Sequence, residues 1–166
     1  MAMVGLFWIT PYGLYVGSPP AAGGGCVRLT TQGVEAVEPG RSRMWAWDGL
    51  RSAVVADVPT GEPSGRAAKL IGSVVSATAG AFLGGGPPAM TLRLETEHGP
   101  EELSVHSAAA GGYGVEEVSL SQDLLACFVA GTADPRAAEA WGREHGPKGT
   151  PKPSERAALL RSWARP

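Results

Sequence analysis

The sequence predicts an α+β protein: an antiparallel, β-rich body, a small barrel or curved sheet, closed by a capping helix and followed by extra C-terminal helices. Three observations lead there. Between residues 5 and 107, short runs alternate apolar and polar residues between Gly and Pro, the period of two that belongs to half-buried strands. After Ser107 the apolar spacing changes to three and four, the period of an amphipathic helix. Helix-starting residues then recur at Ser119, Asp134 and Ser154.

The first two hairpins share one pattern, aliphatic-Thr-x-x-Gly-aliphatic, at Ile9-Thr10-Pro11-Tyr12-Gly13-Leu14 and Leu29-Thr30-Thr31-Gln32-Gly33-Val34. A Thr hydroxyl bonds locally to turn backbone, and Gly accepts the positive φ that reverses the chain. Leu6–Thr10 is therefore expected to pair with Leu14–Gly17, and Cys26–Thr30 with Val34–Val37. Two copies point to repeated turn chemistry rather than a solenoid. Pro19 to Gly25 is a loop, because neither Pro19 nor Pro20 can donate to a ladder. Trp45 and Trp47 share a strand face and are expected to be mostly buried, in one core with Phe128. Asp48-Gly49 turns the chain into Ala53–Val58, a strand rich in β-branched residues. Met90–Thr96 and Glu102–His106 form a third hairpin around Glu97-His98-Gly99-Pro100.

Arg66 to Phe82 reads as a helix loosened by Gly72 and Gly80, inside an insertion over 66–89. No charge occurs from Leu70 to Leu92. The strongly apolar part, Leu70–Leu83, is nevertheless short of the roughly 20 residues that span a bilayer. Further on, Ser119 and Gln122 have capping-box spacing and open a helix near 119–130, with Leu120, Leu124 and Phe128 on one stripe. Asp134 as cap and Pro135 at the first helical position open the next, near 134–145, with Ala138 and Trp141 on one face. Pro147 to Pro153 reads as a linker. Ser154 caps a last helix near 154–164, whose Leu159, Leu160 and Trp163 stand three and four residues apart. The chain thus divides into a β-rich domain over 1–131 and a C-terminal helical appendage over 132–166.

A run of strands with Trp-Asp near the end of one, then a strand pair, then one amphipathic helix resembles bacterial pleckstrin-homology-like domains. The likeness rests on Leu29-Thr30-Thr31-Gln32-Gly33-Val34 and on Trp47-Asp48-Gly49-Leu50-Arg51-Ser52-Ala53-Val54, and it covers residues 5–131. In that family a similar Thr-x-x-Gly turn precedes a strand ending in Trp-x-x-aliphatic, followed by a valine-rich strand. The insertion over 66–89, uncharged from Leu70 on, and the two terminal helices depart from the family pattern. The resemblance implies a curved sheet capped by a helix and used as a lipid, peptide or assembly platform.

Composition and motifs narrow the function. The chain is 43% hydrophobic with a net charge of −2, as expected of a globular protein. Its cations are scattered, and Arg41 with Arg43 is too small a cluster to track a phosphate backbone, which argues against nucleic acid. Cys26 and Cys127 lack CxxC spacing and no signal peptide is legible, so a reducing cytoplasm is expected. His98, His106 and His145 show no metal-binding spacing, and Gly-x-Ser-x-Gly is missing. Gly23-Gly24-Gly25 and Gly84-Gly85-Gly86 lack the Gly-Lys-Ser/Thr ending of a phosphate loop. Glu101/Glu102 and Glu116/Glu117 are adjacent pairs, which in extended chain point to opposite faces and make poor acid/base dyads. No enzyme, cofactor or metal is therefore expected. The leading expectation is a binding or protein-interaction module, regulatory or scaffolding, with Leu159, Leu160, Trp163 and Trp141 contacting a protein partner or a second copy. The alternative is a peripheral membrane adaptor using Arg66, Lys69, Leu70 and Ile71 on lipid. A small-molecule enzyme with its pocket under the helix ranks third.

Overall fold

One turn chemistry, used three times, lays down much of the strand body. The computed structural model describes residues 1–19, 25–61 and 87–165. At the first turn the Thr10 hydroxyl donates to the Gly13 carbonyl (3.2 Å) and accepts the Tyr12 N–H (3.1 Å). Thr30 repeats this with Gly33 (3.0 Å) and Gln32 (3.2 Å). A third copy was not counted from the sequence: Thr96 donates to Gly99 (2.8 Å) and accepts from His98 (3.0 Å). The reason for glycine also differs from expectation. Of the three, only Gly99 has a positive φ, at 120°. Gly33 is required by close approach instead, since a Cβ there would overlap the Trp45 carbonyl oxygen.

The strands these turns connect are β1 (Ala2–Val4), β2 (Phe7–Thr10), β3 (Gly13–Val16), β4 (Cys26–Leu29), β5 (Gly33–Glu38) and β6 (Arg41–Ala46). They pair in chain order as a six-stranded antiparallel sheet. The 3₁₀ turn Trp47–Gly49 then carries the chain into a three-stranded antiparallel sheet of β7 (Leu50–Ala56), β8 (Ala89–Thr96) and β9 (Gly99–His106). The expected hairpins are present, and β1 adds a strand that was not foreseen. The barrel form of the expectation is corrected: the described strands make two sheets and do not close. The sheets meet where the Ser18 N–H donates to the His106 carbonyl (2.7 Å) and where Arg43 pairs with Glu101 (2.8 Å).

Register decides which residues form the core. Ala2, Ile9, Leu14, Leu29, Val34 and Trp45 stand opposite one another across the six strands, and all but Trp45 are fully buried. The alternate row, Met3, Trp8, Tyr15, Arg28, Glu35 and Met44, lies on the other face, as a period of two requires. The two tryptophans are half-buried rather than mostly buried. Arg43 lies over the Trp45 ring, 4.6 Å from its centroid. Trp47 sits on the 3₁₀ turn, not the strand. Its indole N–H donates to the Thr30 carbonyl (2.9 Å), and its ring meets Phe128 at 5.7 Å, so the expected shared core is present at its edge.

Among the described residues, three helices cover this body: α1 (Val115–Val129), α2 (Pro135–His145) and α3 (Pro153–Trp163). The first opens four residues ahead of the expected Ser119, after Gly114 and with no side-chain cap. Its buried stripe is Glu117, Ser121, Leu124, Leu125 and Phe128, and Leu120 is only half-buried. Gln122 on its flank brackets β7 at the sheet edge. Its amide accepts the Val55 N–H (3.1 Å) and donates to the Val55 carbonyl (2.7 Å), occupying backbone groups that an edge strand otherwise leaves open. Asp134 caps α2 as expected, accepting the Arg136 N–H at 2.8 Å, with Pro135 in the first turn. The start of α3 is corrected: Lys152, not Ser154, is the cap position, and the Glu155 carboxylate accepts the Lys152 N–H (2.9 Å). The helix expected over 66–83 lies outside the described residues.

The last two helices share one continuous core with the strands, through Ala138, Leu160 and Trp163. Gly142 lets α2 approach β2 closely, since a Cβ there would overlap the Ile9 side chain. Between α3 and α1 runs a bidentate ion pair, Arg156 to Glu117 at 2.7 and 3.0 Å, with side chains only 14% and 7% exposed. Arg161 pairs with Glu116 beside it, at the surface. Removing one partner of a buried pair strands the other charge. Glu117→Ala is thus expected to cost about 3 kcal/mol in urea melts, while Glu116→Ala should cost under about 1 kcal/mol. Equal small losses would show that α3 is held by apolar packing alone.

Candidate functional site

Among the described residues, a groove of about 760 Å³ between α2 and α3 has the dimensions of a binding site. Clefts of roughly 300–1,000 Å³ are typical of small-ligand sites. Its apolar floor is Trp141, Leu159, Ala158 and Pro151, and its polar rim is His145, Lys148, Thr150, Lys152, Glu155 and Ser162.

Each wall follows from local sequence. On α2 the inward positions are Ala138 and Gly142, both buried, so Trp141 projects to the flank. There it meets the edge of Trp163 (centroids 5.9 Å, 66°) and stacks on His145 one turn later (5.4 Å, 8°). The His145 ring Nδ1 also lies 3.3 Å from the Trp141 carbonyl. On α3 the inward positions are Ala157, Leu160 and Trp163, which leaves Leu159 on the groove side. The stretch that joins the helices, read from sequence as a linker, is fastened to the body. Thr150 accepts the Met3 N–H (3.0 Å), and the Pro151 carbonyl accepts from Arg156 (2.8 Å).

The four residues named from sequence therefore separate into two pairs. Leu160 (fully buried) and Trp163 (8% exposed) pack into the protein's own core. Trp141 and Leu159 are half-buried and line the groove. Arg66, Lys69, Leu70 and Ile71 lie outside the described residues. Among the described residues, no helix is long and apolar enough to cross a membrane. Sequence reasoning missed His145, Lys148, Lys152 and Ala158. The available signal was Lys148-x-x-x-Lys152 inside a segment stiffened by Pro147, Pro151 and Pro153.

Other features have visible structural employment. A cleft beside Trp45 is lined by Glu97, His98 and Glu101, but Arg43 already lies on the ring and pairs with Glu101. Burial pushes the Cys26 thiol up in pKa, against the opposing pull of Arg28, so it is held as the protonated, less nucleophilic form. The Glu116/Glu117 pair is engaged by Arg161 and Arg156. No group of three or more His, Cys, Asp or Glu among the described residues is placed to hold a metal ion.

Compared with models of protein families, with curated proteins and with solved structures, the chain matches none.

The division between core and groove residues has a measurable consequence. Leu160→Ala should cost about 2–5 kcal/mol as a fully buried truncation. Leu159→Ala should cost under about 1.5 kcal/mol, being half-buried, and Ala158→Gln, at an exposed position, under about 0.5 kcal/mol. Thermal and urea melts of the three variants check the order.

Proposed function

We propose that this chain is a non-catalytic protein-interaction module with a regulatory or scaffolding role. In this reading the strand body is a pleckstrin-homology-like platform, and the α2–α3 groove is where a partner protein docks. The support for the platform is an antiparallel strand body with α1 packed on β7, although α2 and α3 also pack on the strands. The support for the docking site is a single observation: Trp141 and Leu159 form an apolar floor left half-open while their neighbours Gly142 and Leu160 are buried. Aromatic side chains in such a position are the residues that anchor protein interfaces. Leu160 and Trp163 serve the site from below, by holding α3 at its distance from α2.

The test uses the protein at its native level in its own cell. Wild type and the fold-preserving variant Ala158→Gln are each tagged, cross-linked and purified. A protein retained by the wild type and lost with Ala158→Gln is the expected result. A partner retained equally by both would place the contact elsewhere and overturn the groove reading.

A further inference from the structure

The cationic side chains that line the groove stand together on the segment between α2 and α3, and they point to what the occupant carries. Lys148 and Lys152 stand on the connecting segment, both exposed, and neither has an ion-pair partner among the described residues. Of the arginines on α2 and α3, Arg136, Arg156 and Arg161 are paired, with Asp134, Glu117 and Glu116, while Arg143 has no ion-pair partner among the described residues and does not line the groove. The one carboxylate on the rim, Glu155, accepts the Lys152 backbone N–H at the start of α3 (2.9 Å) and keeps its charge, so two lysines stand against one carboxylate in the groove lining. The groove lining thus carries an excess of one positive charge, and Trp141 and Leu159 offer an apolar surface beside it.

On this basis, and resting on the reading of the groove as a docking site, we propose that its occupant is a short amphipathic segment of a partner protein. The segment lays an aromatic or aliphatic side chain on Trp141 and Leu159 and brings an Asp or Glu carboxylate to Lys148 and Lys152. The α3 wall has eleven residues, which at 1.5 Å per residue is ~16 Å. This suits two or three turns of helix laid between two helices, a recurring mode of peptide recognition. Charges at a rim act chiefly by selecting partners and steering their approach, and like charges placed together reject the wrong one.

Random 16-residue peptides displayed on phage are selected on the full-length protein, and the enriched pool is tested for loss of binding on Ala158→Gln. Binding of the enriched peptides is then measured on wild type and on the double variant Lys148→Glu/Lys152→Glu. The expected sequences carry an acidic residue within one helical turn or two of an aromatic or aliphatic pair. They should lose about tenfold in affinity on the double variant, and less in high salt. Peptides that are lost with Ala158→Gln but show no acidic preference and no effect of the double variant would overturn the carboxylate proposal and leave the docking site standing. Peptides unaffected by Ala158→Gln, or no enrichment at all, would overturn both. Phosphatidylserine vesicles form the last arm: vesicle binding lost in the double variant, with no peptide selected, would assign the lysines to a membrane surface and overturn the proposal.

Discussion

The turn of α1 from Glu117 to Ser121 is the joint on which the arrangement depends. Both Glu117 carboxylate oxygens are taken by Arg156, whose remaining nitrogen donates to the Pro151 carbonyl. Four residues on, the Ser121 hydroxyl donates to the Glu117 carbonyl (2.6 Å) and accepts the Leu6 N–H (3.1 Å). One helical turn thus fastens α3, the segment before α3, and the bend between β1 and β2. Taking two charges out of water is costly, and such a pair is tolerated only when further hydrogen bonds complete it. Here they do. The bend itself needs Gly5, with φ at 57° and no room for a Cβ beside Ser121. Neither α3, at eleven residues, nor β1, at three, would persist alone in water. Each is ordered by this contact.

The groove is a geometric consequence of how closely the helices approach the body. Gly142 brings α2 down onto Ile9 until no side chain fits between them. The residue before it must then leave sideways, because successive helical residues are turned by about 100°. That residue is Trp141. The same displacement operates on α3, where Leu160 takes the inward position and Leu159 is turned to the flank. Two large apolar side chains are consequently directed into the space between the helices. The fastened segment 146–152 keeps the helices from closing over them.

How much of this was legible depends on the range of the interactions. The Thr-x-x-Gly turns and the Asp134-Pro135 start act within four residues, so sequence alone locates them. The start of α1 is illegible for the opposite reason. Gly114 offers no capping side chain, and Ser119, which resembles a cap, lies inside the helix. Arg156 and Glu117 are 39 residues apart, and nothing local to either announces the pair. Reading Glu116/Glu117 as neighbours on an extended chain sent them to opposite faces. On a helix they diverge by a smaller angle, and α3 meets both. Trp45 and Trp47 have the spacing of one strand face, but the chain leaves the strand between them, because the 3₁₀ turn that contains Asp48-Gly49 begins already at Trp47. The stripe Leu159, Leu160, Trp163 was legible as apolar spacing. The split between neighbours that sends Leu160 inward and Leu159 outward depends on where α1 and β1 lie.

The choice between a structural and a functional use of the C-terminal helices is therefore made residue by residue. An amphipathic helix of eleven residues has room for one buried stripe, and on α3 this stripe is Ala157, Leu160 and Trp163. Whatever lies beside it contributes less to folding and is exposed to selection for other uses. On α2 the moment of closest contact falls at Gly142, which contributes no side chain to the core, so that helix has its largest apolar group on its flank. Trp141 packs on the edge of Trp163 and Leu159 lies against the core, yet both keep part of their surface open to the groove. A tryptophan stacked on a histidine, facing a leucine across a groove with two lysines that have no ion-pair partner among the described residues, exceeds what packing α2 and α3 onto the body requires. This excess, more than the groove's size, is the physical basis for reading it as a docking surface.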